Sequence, residues 1–445
     1  RVPLQDYESV KPYVIRLRQG EQNLLWPGEI RWFAKSSGTT TDKSKFIPVS
    51  REAIEDCHFR GGKDIIAIHA SQNPETKAFK GKGLGLGGSH AVNKFSNASY
   101  YGDLSAVIIR NLPFWAEFRR TPSPSITLLE DFEEKIDKMA HITVKENVTN
   151  IAGVPSWFLV FIRKVLEITG KKHLLEVWPN LELFTHGGVS FTPYREQYQR
   201  LLPSEKMNYI ETYNASEGFF AIQDDSSSTS MLLMLDYGIF YEFIPLEEID
   251  KEHPKTLLLE ETELNVNYAI VLTTNAGLWR YIIGDTVMFT SKYPYKMVIT
   301  GRTKHFINAF GEELIIDNAE KALKTAAGRT NASIKEFTAA PVYMSETNEK
   351  GSHQWLIEFE KQPDDMELFT EALDTALKSL NSDYEAKRHK NTTLNKPEII
   401  NVSKGVFYRW MEQRGKLGGQ HKVPRLANNR KYADELLKLN EAMKK

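Results

Sequence analysis

Met207 to Tyr213 reads MNYIETY, and it opens a run that decides what kind of chain this is. β-Branched and aromatic residues dominate it, and similar stretches return at Ser230–Leu235, Ile239–Ile244, Tyr268–Thr274, Thr286–Thr290 and Lys296–Thr300. Short apolar runs of this composition, separated by polar and glycine-containing breaks, predict strands. Toward the N-terminus, strand patterns at Ser105–Ile109 and Leu181–Thr185 interleave with helical patterns at Ser50–Ala70, Pro155–Thr169 and Pro193–Leu202. Toward the C-terminus, a strand pattern at Trp355–Glu360 lies among helical patterns at Asp317–Ala327, Asp364–Leu380 and Tyr432–Lys444. The last of these carries Tyr432, Leu436, Leu439 and Met443 on one side with lysines opposite, an amphipathic spacing. The expectation is an α/β fold: a large N-terminal α/β domain, 1–302, with a β-rich subdomain, then a smaller C-terminal α/β domain, 303–445.

At 445 residues the chain is long enough for two or three domains and a sizeable core. Its 57 Lys and Arg balance 58 Asp and Glu, and a net charge of -1 gives no electrostatic footing for nucleic acid or an anionic membrane. No segment approaches the roughly 18 apolar residues of a membrane span, and no signal peptide is visible. The single cysteine, Cys57, excludes internal disulfides and cysteine-based metal clusters. Asn97, Asn147, Asn214, Asn331, Asn391 and Asn401 stand in N-x-S/T sequons, which read as chance. A reducing cytoplasm is the expected compartment.

Six runs carry chemistry. Lys35–Pro48, KSSGTTTDKSKFIP, sets the hydroxyls of Ser36, Ser37, Thr39, Thr40 and Thr41 around Gly38, with Lys45 following. Flexible backbone at Gly38 lets successive N–H groups turn toward an anion, and Lys45 adds a mobile positive charge, so the run reads as a phosphate cradle. The P-loop spacing is absent, and a Ser/Thr-rich surface turn is the plain alternative. Lys80–His90, KGKGLGLGGSH, reads either as a mobile loop beside a pocket or as a flexible hairpin. In Leu183–Val189, LFTHGGV, Gly187 and Gly188 follow a strand, where open α/β sheets bind planar ligands, or form a ligand-free tight turn. His186 reads as a structural histidine.

Glu211–Asp225, ETYNASEGFFAIQDD, offers the flat face of Tyr213 to a purine or sugar, and Glu217 as a hard oxygen ligand for Mg²⁺ on phosphates. Arg280–Asp285, RYIIGD, is read as a tight turn at Gly284 that directs Asp285 out of a strand, where its carboxylate accepts from two ribose hydroxyls. Arg302 ends the next strand and can serve a ribose or a phosphate. In Gln420–Arg425, QHKVPR, Lys422 precedes a stiff Val-Pro pair, so its ammonium can ride on a moving but well-defined loop; an ordinary surface lysine is the alternative.

Taken together and in this order, the runs resemble the GH3 acyl acid–amido synthetases, a branch of the adenylate-forming, firefly luciferase-like superfamily. The resemblance rests on SSGTT…K at 36–45, YNASEG at 213–218, YIIGD at 281–285 and QHKVPR at 420–425, supported by VP…YE at 2–8, GVPSW at 153–157, WPN at 178–180 and KGVF at 404–407. It implies that Ser36, Ser37, Gly38, Thr39, Thr40 and Lys45 hold ATP phosphates. Gly187, Gly188 and Tyr213 would flank adenine, Glu217 would help position Mg²⁺, and Asp285 would hold the ribose hydroxyls. Lys422, on a mobile C-terminal cap, would reach the α-phosphate. The glycine run and the stretch after Arg302 (TKHFINAFGEEL) differ from plant patterns and stand closer to bacterial relatives. The expected substrates are a small carboxylic acid and an amino acid or other amine.

The same residues suit the chemistry without the family name. A carboxylate becomes a good acyl donor by attack on the α-phosphate of ATP, and the negative charge there needs Mg²⁺, lysine and hydroxyl donors. No enzyme nucleophile is required. The alternatives are transfer to coenzyme A, a phosphotransferase making ADP, and a nucleotide-binding protein without catalysis. The acyl pocket is expected from Pro155–Leu166 and residues 81–101, with no hormone-specific set among them.

Overall fold

The computed structural model describes residues 2–37, 44–87, 92–95, 99–129, 131–249, 251–303, 306–345, 349–389, 393–414 and 423–444. The chain divides into two compact units, one of residues 1–36 and 45–303, the other of residues 37–44 and 304–445. Both mix helices and strands, as the interleaved patterns predict.

The first unit is organised by one sheet that contains, among the described residues, eleven strands. In chain order they are β1 (Lys82–Gly85), β2 (Arg120–Thr121), β3 (Val148–Gly153), β4 (Leu183–Gly187), β5 (Asn208–Ala215), β6 (Gly218–Ile222), β7 (Met231–Leu233), β8 (Ile239–Pro245), β9 (Asn267–Thr274), β10 (Tyr281–Lys292) and β11 (Tyr295–Arg302). Their spatial order is β8-β9-β10-β11-β7-β6-β5-β4-β3-β1-β2. From β5 through β4, β3 and β1 to β2 the pairs are parallel. From β5 to β8 they are antiparallel.

Helices connect the parallel strands, as parallel pairing demands. Pro155–Thr169 bridges β3 to β4; it starts on Pro155, ends at Gly170 in a left-handed conformation (φ 64°), and buries Phe158, Leu159, Phe161, Ile162 and Val165. The Tyr198 hydroxyl from the next helix donates to Pro155 O at 2.8 Å and holds that helix start in place.

Three readings need correction. Ser105–Ile109 is helical, within Leu104–Arg110. Its Val-Ile-Ile content suggests a strand, but Ser105 and Ile109, four apart, both face the space a Cβ of Gly87 would fill. Second, part of the glycine run is not a loop: Lys82–Gly85 is β1. Its glycines suit tight packing, since a Cβ on Gly81 would meet Asn147 O at 2.4 Å and one on Gly83 would meet Asn150 Oδ1 at 2.7 Å. Third, Gly284 makes no turn; it sits inside the continuous strand β10 with φ 93°, where the β9–β10 register shifts.

The second unit has a three-stranded sheet of Ser333–Val342, Ser352–Lys361 and Glu398–Asn401. The helices Ile316–Arg329 and Met366–Leu380 supply Leu323, Ala326, Phe369, Leu373 and Leu377 to a core shared with Phe337 and Trp355. Among the described residues no helix is long and apolar enough to cross a membrane.

Candidate functional site

The parallel half of the sheet aligns its strand ends, so the segments after β1, β3, β4 and β5 emerge along one edge. Gly187 ends β4 opposite Thr212 of β5, and a Cβ at Gly187 would lie 2.4 Å from Thr212 O. Gly188 follows at φ 80°. Only glycine lets β4 and β5 approach this closely while the chain turns away with the Gly188 backbone exposed.

Next along β5, Tyr213 is buried, packs edge-on against Phe220 and donates its hydroxyl to Asp285 Oδ2 at 2.6 Å. Asp285 pairs across strands with Arg302, whose Nε lies 2.9 Å from Oδ1. A second Arg302 nitrogen donates to Ile283 O at 3.3 Å. The carboxylate is thus held on both oxygens. Burial raises the Tyr213 hydroxyl well above the usual phenol range, and Asp285 raises it further, so Tyr213 stays a donor.

This contact depends on the shape of the sheet. Three strands separate β5 from β10, which in a flat sheet would set their backbones about 19 Å apart. The sheet closes that distance by curling, helped by register shifts in the β5–β6, β9–β10 and β10–β11 pairs.

Glu217 lies in the two-residue turn between β5 and β6, flanked by the paired Ala215 and Gly218, and is half-buried. Its charge is felt at both Tyr213 and Tyr281. Burial raises Tyr281 well above the phenol range; Glu217 adds to the rise and Arg302 opposes it. Lys45 Nζ stands 5.9 Å from the ring centre of Tyr7, whose hydroxyl accepts from Phe46 N–H at 2.9 Å. Tyr7 and Tyr281 are members of this cluster that sequence reasoning missed. Tyr7 stands in the VP…YE stretch at 2–8 that supports the family resemblance, but sequence reasoning gave that stretch no role in the site. Gln5, two residues before, bridges to Tyr281 and ties this N-terminal stretch to β10.

Ser36 closes the described part of the strand Trp32–Ser37 together with the backbone of Ser37. Gly38, Thr39, Thr40 and Lys422 lie outside the described residues. His186 is buried with its ring stacked on Phe191 at 4.1 Å, and burial takes it down to about 3, so it is neutral. Cys57 is buried and its thiol is pushed up to about 11, which leaves it un-ionised and poorly nucleophilic. Among the described residues no group of three or more His, Cys, Asp or Glu is arranged to hold a metal ion. A half-buried carboxylate such as Glu217 nonetheless fits Mg²⁺, which keeps several waters and takes its other ligands from substrate phosphates.

Sequence models of the GH3 family match nearly end to end: the "GH3 family N-terminal domain" at residues 1–207, the "GH3 family central domain" at 232–302 and the "GH3 family C-terminal domain" at 317–431. The chain belongs to the GH3 family. Among its GH3 relatives, the indole-3-acetic acid-amido synthetase GH3.3 of Arabidopsis thaliana is 26% identical, with 96% of this chain and 83% of that protein covered. The 4-substituted benzoates-glutamate ligase GH3.12 of the same plant is 24% identical over 95% of this chain and 86% of its own. The structure of AtGH3.15 acyl acid amido synthetase in complex with 2,4-DB superposes with a TM-score of 0.61 at 18% identity, covering 99% of this chain and 87% of that one. A 2-hydroxyisobutyryl-CoA ligase shares the adenylate-forming fold at a TM-score of 0.52 and 13% identity, covering 99% of this chain and 83% of that one.

Proposed function

We propose that this GH3 protein is an ATP-dependent acyl acid–amido synthetase: it adenylates a small carboxylic acid, then passes the acyl group to an amino acid or other amine. The observation that carries the reading is Asp285 held between Tyr213 and Arg302, beside the glycine pair at the end of β4 and the Glu217 turn at the end of β5. In this reading Asp285 accepts from the ribose hydroxyls, and Tyr213 and Arg302 keep it ionised and fixed. The Gly187–Gly188 backbone lies along the adenine. Lys45, with Ser36, Ser37, Gly38, Thr39 and Thr40, binds the phosphates, and Glu217 holds Mg²⁺, which would neutralise charge on the phosphate oxygens.

The two steps balance without an enzyme nucleophile. The substrate carboxylate oxygen forms a bond to the α-phosphorus as pyrophosphate leaves, with Lys422 assigned to the charge that builds on the phosphate oxygens. The amine nitrogen then bonds to the acyl carbon, AMP leaves, and the amine gives up a proton. The protein's contribution is positioning and electrostatics.

Incubation with ATP, Mg²⁺, pooled aryl, indole and fatty acids and the amino acids, followed by chromatography and mass spectrometry, tests this. Acid-dependent AMP with a new amide mass is the expected result. Acid-dependent ADP would overturn adenylation, and an acyl-CoA product formed only on addition of coenzyme A would replace the amine by a thiol.

A further inference from the structure

The helix that follows the strand Ser44–Val49, which carries Lys45, is not regular. Ala53–His58 forms a π-turn that runs into the α-helix Phe59–Gln72. Such wide turns cost hydrogen-bond geometry and recur where a side chain must be placed out of α-helical register. The consecutive Cys57 and His58 of this turn are both buried, and Cys57 meets the β5–β6 hairpin.

Cys57 Sγ accepts from the backbone N–H of Phe219 at 3.1 Å. His58 is buried on the same turn, and burial keeps its ring neutral. Three residues on, a Cβ at Gly61 would come within 2.7 Å of the Phe219 ring, so the helix backbone lies directly against the hairpin. Asn214 and Phe219 flank the turn that carries Glu217, and Asn214 follows Tyr213 in β5. The other end of the same segment is equally pinned: Ser50 Oγ donates to Asn275 O at 2.7 Å and accepts from Ala53 N–H at 2.9 Å. One stretch of chain therefore carries Lys45 at one end and grips the Glu217 hairpin at the other.

We propose that the π-turn is a positioning device, in which Cys57 and His58 set the Glu217 hairpin relative to the Lys45 strand so that metal and phosphate are met together. The inference rests on Glu217 being the magnesium carboxylate. The test is to measure kcat, KM for ATP, KM for the acid and the half-saturating Mg²⁺ concentration for Cys57→Ser, Cys57→Val and Glu217→Gln. Serine keeps an acceptor for Phe219 N–H, whereas valine fills the space without one. Cys57→Val should raise half-saturating Mg²⁺ at least fivefold and lower kcat, with KM for the acid within twofold, while Cys57→Ser recovers most of the loss. Equal losses for serine and valine, tracking a drop in melting temperature, would overturn the proposal, because packing alone would explain them. If Cys57→Val does not fold, Cys57→Ala against Cys57→Ser reads the same split. Glu217→Gln separates the two readings: an unchanged Mg²⁺ requirement removes Glu217 as the metal carboxylate and the inference with it. A shifted requirement there but none in Cys57→Val removes only the brace.

Discussion

Asp285 has a protein donor on each oxygen, and this makes Tyr213 a sensitive probe. Tyr213→Phe removes the 2.6 Å hydrogen bond but keeps the ring against Phe220. Hydrogen bonds to charged groups contribute roughly 1.5–3 kcal/mol, and about 1.4 kcal/mol is tenfold in an equilibrium constant. KM for ATP should therefore rise about tenfold in Tyr213→Phe, with kcat much less affected, in steady-state assays. Two histidines make a separate, pH-dependent prediction. Burial lowers His58 to about 4 and His186 to about 3, against about 6.5 for an exposed ring. Between those values the unfolded chain binds protons that the folded chain does not, so stability rises with pH there. It is fully present above pH ~6.5, falls as pH drops toward 4 and levels off below the folded values. Calorimetric melting of the parent against His186→Phe should show a shallower acid-side decline in the variant.

Strand ends and glycines decide matters at the level of the elements. Gly187→Ala places a Cβ 2.4 Å from Thr212 O, and β4 and β5 cannot separate without disturbing the buried sheet. A cost of about 1–3 kcal/mol is expected, read as a lower urea midpoint, together with weaker nucleotide binding. In the second unit, Asp374 on the helix Met366–Leu380 is buried and accepts from Arg388 at 2.7 and 2.9 Å and from the Tyr384 hydroxyl at 2.8 Å, with Lys378 Nζ at 2.6 Å. Burial pushes its carboxyl up, but the Arg388 and Lys378 hydrogen bonds outweigh this and hold it below the usual range. Asp374→Ala strands the Arg388 charge, and breaking a buried pair in this way costs about 3–5 kcal/mol; chemical denaturation should show the second unit as the one weakened. The elements also show where sequence patterns mislead. Helices such as Pro155–Thr169 were legible because proline, an apolar face and a terminal glycine agree. Residues 105–109 were not, because β-branched content says strand while the packing partner, Gly87, lies 18 positions upstream of Ser105. β1 was hidden for the converse reason: Gly81, just before it, and Gly83 within it look like a loop until the side chains of Thr149 and Asn150 are seen occupying their space.

For the molecule as a whole, the proposed division of labour is that residues 36–45 and the strand-end residues of the large sheet bind ATP while Lys422 acts on the α-phosphate. Lys422→Ala should leave ATP binding by calorimetric titration within threefold and lower acid-dependent pyrophosphate release more than tenfold; unchanged turnover would remove Lys422 from the mechanism. Sequence alone determined the α/β class, the strand-rich stretch after Met207 and the family likeness, because periodicity, β-branched content and ordered motifs are local properties. It named Tyr213, Asp285 and Arg302 separately, without saying that they meet. Only the tertiary structure decided that, because a strand's pattern specifies its two faces but not how far the sheet bends across its neighbours. The curl that brings β5 to β10, and the π-turn under the Glu217 hairpin, arise from register shifts and side-chain packing between segments far apart in the chain.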